Sequence, residues 1–116
     1  MSDVELEELE RRLGEVTVVD VRQPYEYDGS HGAPCDPRQG HIPGAVNLNV
    51  DDLAGMSAGD VSAQLGVEQG AEIVVYCHSG SRSARAATIL QRLGFEGRNY
   101  VGSWHEWSQT DLPIET

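Results

Sequence analysis

The chain has 116 residues, enough for one domain with one modest core. Nineteen acidic residues against eight basic ones give a formal net charge of −11, a surface that repels nucleic acid and anionic membranes. No apolar run approaches membrane-spanning length, and the acidic start Met1-Ser-Asp-Val-Glu-Leu-Glu-Glu has neither the basic nor the apolar region of a secretory leader, so a cytoplasmic location is expected.

In chain order, Ser2 or Asp3 is a candidate cap for a first helix with Val4, Leu6, Leu9 and Leu13 on its apolar face, and Gly14 ends it. The β-branched run Val16–Val21 reads as a strand buried on both faces. Pro24 opens a short helical turn, 24–27. Residues 28–40 are all turn chemistry and predict a long surface loop. His41-Ile-Pro-Gly leads into a short strand at 45–48, and residues 51–66 read as one or two small helices with glycine breaks. A second strong strand covers 71–76. Ala86, Ile89, Leu90 and Leu93 recur at helical spacing, which predicts a helix over 83–93 closed by Gly94. Residues 98–101 can form a last strand, with Trp104 and Trp107 in a short closing helix, read as packing residues.

Strands alternate with helices throughout. The expectation is one α/β domain over residues 1–116, with a mostly parallel sheet flanked by helices on both faces. Ligands in such folds sit beyond the carboxyl ends of strands. Cys77 directly follows one strand and Arg22 another, so both belong to the same rim.

The stretch Cys77-His-Ser-Gly-Ser-Arg82 carries the chemistry. A thiol reacts as its thiolate, and loop N–H groups with the positive end of the following helix favour that form. Gly80 permits the tight curl of an anion nest, and Ser79 and Ser81 can donate hydrogen bonds. All eight basic residues are arginine, and four of them (Arg82, Arg85, Arg92, Arg98) fall between Cys77 and His105 against the single acid Glu96. A lone cysteine ending a strand is ordinarily structural, and a lone arginine there ordinarily a solvated face. The small, glycine-containing loop between buried strand and helix favours a reactive thiol instead.

That loop resembles the six-residue active-site loop of rhodanese-type sulfurtransferases. Val18-Val-Asp-Val-Arg22, Tyr25-Glu26, Gly40-His-Ile-Pro-Gly-Ala-Val-Asn47 and Tyr100-Val-Gly-Ser-Trp-His-Glu-Trp107 resemble further motifs of that family, in the expected order. The resemblance covers roughly residues 14–116. It implies a single-domain member in which the Cys77 thiolate takes the outer sulfur of thiosulfate or a similar anionic donor, and a persulfide is held by the loop. A thiol, cyanide or a partner protein then accepts the sulfur. Arg82, helped by Arg85, would orient the donor and stabilise departing sulfite. His78 would serve as a donor or proton carrier, or be an idle rim histidine; Asp20 and Arg22 would support the site. No cofactor beyond the covalent persulfide and no metal is implied.

Residues 28–39 are longer than a minimal member of this family needs and carry Cys35. This thiol reads as incidental on a surface loop; the sharper alternative is a resolving cysteine for Cys77. Two cysteines are too few for a disulfide framework and lack the paired spacing of a zinc site. Two rival functions remain. A phosphatase of the same fold would place arginine six positions after cysteine, whereas here position 83 is Ser and Arg82 comes one residue early. A persulfide carrier or regulatory module serving a partner protein could have an identical loop.

Overall fold

A computed structural model describes residues 3–116. Its elements are α1 (Leu6–Arg12), β1 (Thr17–Asp20), α2 (Pro24–Tyr27), β2 (Val46–Asn47), α3 (Val50–Ala54), α4 (Ala58–Leu65), β3 (Glu72–Tyr76), α5 (Ser81–Arg92), β4 (Glu96–Asn99) and α6 (Ser103–Trp107). The four strands form one parallel sheet in the order β2-β1-β3-β4. Val18 pairs with Val74 and Val74 with Arg98 across the middle of the sheet.

The period-2 alternation of the strands sorts their side chains into two layers. Val19, Val21, Ile73, Val75 and Cys77 pack with Leu53, Val61, Ala86 and Leu90 from α3, α4 and α5. Val18, Val74 and Tyr76 pack on the opposite face with Leu9 of α1 and with Trp104 and Trp107 of α6. Helices therefore cover both faces of the parallel sheet, and both faces of β1 and β3 have to be apolar. Gly97 lets α5 lie directly on β4, since a Cβ there would stand 2.7 Å from the Ala87 carbonyl oxygen. Among the described residues no helix is long and apolar enough to cross a membrane.

Three boundaries lie two or more residues from the sequence expectation. Helix α5 begins at Ser81, not Ser83, because Gly80 takes the N-cap position with φ 101° and the chain is already turning there. Strand β4 lies at 96–99, not 98–101: its polar residues pair with Glu72–Val75, while Tyr100 makes a separate bridge to Val4. That bridge draws Val4 out of the first helix, so the N-cap of α1 is Glu5, without a side-chain cap, and not Asp3; Ser2 lies outside the described residues. The closing tryptophans are fully buried, as packing residues.

Candidate active site

Cys77 continues the β3 alternation one residue past the strand, into the layer shared with α5. Its backbone is fixed on both sides. The Cys77 N–H donates to Ser103 Oγ at 3.1 Å, and the Cys77 carbonyl accepts from the Trp104 N–H at 2.9 Å. Ser103 has φ 55°, a left-handed conformation that aims its hydroxyl back at the loop.

The loop 78–83 wraps the thiol. The Gly80 N–H donates to Sγ at 3.1 Å and the Ser83 hydroxyl at 3.3 Å. Burial alone would push the thiol up. The Ser83 hydroxyl, with the Ser83, Gly80 and Ser79 N–H groups, more than offsets it and holds Cys77 below the ordinary thiol range. Gly80 is required for this wrap: at its positive φ an added Cβ would lie 2.8 Å from the Val101 carbonyl oxygen. Asn99 holds the loop from the neighbouring strand by donating to the Gly80 carbonyl at 3.2 Å.

The charged residues around the loop are paired. Arg82 donates two hydrogen bonds to Glu26, at 2.8 and 3.1 Å. Glu26 also accepts from the Gln23 N–H in the capping box that starts α2. Its carboxyl is disfavoured as a charge by burial, yet Arg82 and that amide hold it below the usual range. Arg85 points elsewhere, to Asp51 at 3.1 Å, with both partners exposed. Beneath the rim, Arg22 is fully buried: it forms a bidentate pair with Asp20, donates to the Gly40 carbonyl at 2.6 Å, and lies against the Tyr76 and Trp104 rings. Asp20 and Arg22 thus tie the ends of β1, the 28–40 loop and α6 together, without reaching the thiol. The locally positive segment seen in the sequence is dispersed in space, since Arg82, Arg85 and Arg98 face Glu26, Asp51 and the Glu8–Glu72 pair respectively.

His78 turns away from the loop interior to the Asp36 carboxylate, 3.1 Å from its Nε2. Cys35 Sγ lies 3.8 Å from the same nitrogen. Both cysteines are free thiols, Cys35 exposed and Cys77 buried. Sequence reasoning does not find Ser83 or Ser103. Position 83 is weighed there only for lacking arginine, and as the first residue of the expected helix. Starting α5 two residues earlier turns its hydroxyl inward.

The arrangement is an α/β domain whose parallel sheet carries a thiol into an amide-lined loop at a helix N-terminus. The chain belongs to the rhodanese-like domain family, whose model matches residues 5–110. It is similar to the thiosulfate sulfurtransferase of Corynebacterium glutamicum, with 40% identity over 119 residues; the match takes in 89% of this chain and 39% of that relative. The crystal structure of a probable thiosulfate sulfurtransferase superposes with a TM-score of 0.85 and 42% identity, over 98% of this chain and 47% of the other. The human single-domain sulfurtransferase TSTD1 superposes with a TM-score of 0.72 and 28% identity, over 95% of this chain and 97% of its own. The chain thus spans less than half the length of the first two relatives and nearly all of the third.

Proposed function

We propose that residues 1–116 form one cytoplasmic sulfurtransferase unit that moves a sulfane sulfur from thiosulfate, or a similar small anionic donor, through a persulfide on Cys77 to cyanide or a thiol acceptor. The observation that carries this reading is the set of hydroxyl and amide donors converging on Cys77 Sγ. The thiolate attacks the outer sulfur of thiosulfate. A new S–S bond forms, the sulfur–sulfur bond of the donor breaks, and its electron pair leaves with sulfite. Cyanide or a thiolate then attacks the terminal sulfur and returns Cys77 as a thiolate. No redox cofactor takes part.

Loop donors that stabilise a thiolate serve the terminal charge of the persulfide equally. Cys77 is only 1% exposed. So confined a seat favours a donor that presents a terminal sulfur over one that must bring bulk to the thiol. The five-position step from Cys77 to Arg82, with Ser at position 83, favours sulfur over a phosphoryl group. The similarity of the chain to proteins named thiosulfate sulfurtransferase supports the choice of donor.

Intact mass after incubation with thiosulfate tests the reading. The expected result is a gain of one sulfur atom, lost on adding cyanide and absent in Cys77→Ser. No gain with thiosulfate, but a gain with a cysteine desulfurase and free cysteine, would replace the proposal with a persulfide carrier serving a partner protein. Hydrolysis of an aryl phosphate would replace it with a phosphatase.

A further inference from the structure

Four metal-type donors from three separate stretches of the sequence meet beside the active-site loop. Cys35 and Asp36 come from the 28–40 loop, His78 from the residue after Cys77, and His105 from α6. Their donor atoms all lie within 4.8 Å of one another. Cys35 Sγ is 3.8 Å from His78 Nε2 and 3.9 Å from Asp36 Oδ1. Asp36 Oδ1 is 3.1 Å from His78 Nε2 and 2.9 Å from His105 Nδ1.

We infer that Cys35, Asp36, His78 and His105 form a binding site for a divalent transition-metal ion of the zinc class. Zinc in structural sites takes four ligands at about 2.0–2.3 Å in a tetrahedron, which sets neighbouring donor atoms roughly 3.3–3.8 Å apart. The separations above bracket that spacing, so small side-chain shifts suffice to close it around an ion. One thiolate, one carboxylate and two neutral imidazoles balance the ion's two charges. This soft-to-borderline donor set suits zinc, cobalt or nickel and not magnesium or calcium.

A second observation points to a ligand independently of the clustering. The Asp36 side chain is fully buried. Its Oδ2 stands 3.1 Å from the His78 nitrogen, yet among the described residues it has no hydrogen-bond partner. Oδ1 of this buried carboxylate faces both imidazoles, and Oδ2 is left with acceptor capacity, turned to the same cluster, that a bound cation would use. The frame around it is firm. The Asp36 N–H donates to the Ala33 carbonyl at 3.1 Å, and the His105 N–H to the His78 carbonyl at 2.9 Å. Cys35 and His105 are exposed, which gives an ion access from solvent. On binding, the Cys35 thiol gives its proton to solvent as its sulfur bonds the metal. A metal-bound Cys35 is not a free resolving thiol, and the ion anchors His78 next to Cys77.

The test uses the intact chain, stripped with chelator, desalted, and titrated with zinc sulfate or cobalt(II) chloride. Native mass spectrometry and elemental analysis should find one zinc per chain in wild type and in Cys77→Ser. The cobalt form should show a thiolate-to-cobalt charge-transfer band. Cys35→Ser and His105→Ala each alter an exposed side chain and should each weaken zinc binding at least tenfold; bound zinc should slow alkylation of Cys35 by a similar factor. Failure to retain one ion per chain, a cobalt spectrum without the thiolate band, undiminished affinity in both variants, or loss of binding in Cys77→Ser would each overturn the inference. Sulfur loading from thiosulfate, measured on the metal-free protein, reports separately on the sulfurtransferase reading.

Discussion

At the residue scale, the Cys77 thiol is held by a side chain that does not stand out in the sequence. Ser83 is fully buried and donates its hydroxyl to Sγ. A hydrogen bond to a charged group contributes about 1.5–3 kcal/mol, and this one favours the thiolate over the thiol. Ser83→Ala removes that donor and leaves burial, which opposes the thiolate, less opposed. The thiolate population grows as pH rises through the thiol pKa, so raising that pKa moves the acid limb of the reaction to higher pH. On a Cys35→Ser background, the pH profile of Cys77 alkylation should move to higher pH in Ser83→Ala. An unmoved limb would show that the amides alone hold the thiolate. The position of Cys77, between β3 and the loop that leads into α5, is legible from the strand–loop–helix pattern. The role of Ser83 is not, because it turns on where the helix begins, and Gly80 decides that through a left-handed backbone.

At the element scale, the site is the meeting of α2, the loop after β3 and the first turn of α5. Arg82 and Glu26 join α5 to α2 across 56 residues of sequence. No local pattern announces such a pairing, although Tyr25-Glu26 and Arg82 each stand out as motifs. The pair puts a carboxylate beside the arginine expected to greet an anionic donor. If Arg82 positions the donor, Arg82→Ala should raise KM for thiosulfate roughly tenfold, the worth of one charge-assisted contact. Glu26→Gln releases the guanidinium and should lower KM. A KM unchanged in both variants would assign the pair to docking α2 alone. The loop itself rests on Gly80. Gly80→Ala combines a left-handed backbone with a Cβ 2.8 Å from a carbonyl oxygen, so it should cost about 1–3 kcal/mol in the denaturant midpoint and slow sulfur loading as the amides turn from Sγ. The parallel sheet with helices on both faces is legible because apolar strands alternate with amphipathic helices. The bounds of β4 are not, because Glu-Gly-Arg-Asn carries no apolar signal and its register comes from pairing with β3.

At the scale of the whole molecule, a net charge of −11 with every base an arginine raises the question of where those arginines go. Two of them stitch the fold together. Arg12 on α1 and Arg98 on β4 both grip Glu72 on β3 and Glu8 on α1, so helix, central strand and edge strand share one ion network. Arg12 above all, against some burial, and then Arg98 hold the Glu72 carboxyl at about 2, below its ordinary 4.5. A carboxyl lowered by folding contributes stability that is complete above its unfolded pKa and is lost as pH falls through its folded value. The network should therefore stabilise the fold fully above about pH 5 and progressively less on acidification toward pH 2. Thermal unfolding of the wild type and of Glu72→Gln, compared across that range, isolates this contribution from the other acidic residues, which titrate in both proteins. The Tm gap should be widest near neutrality, narrow between pH 4.5 and 2, and close at the acid end. A gap that stayed constant with pH would mean that Glu72 acts through packing, and that α1 is held to the sheet by Leu9 and the Val4–Tyr100 bridge and not by charge.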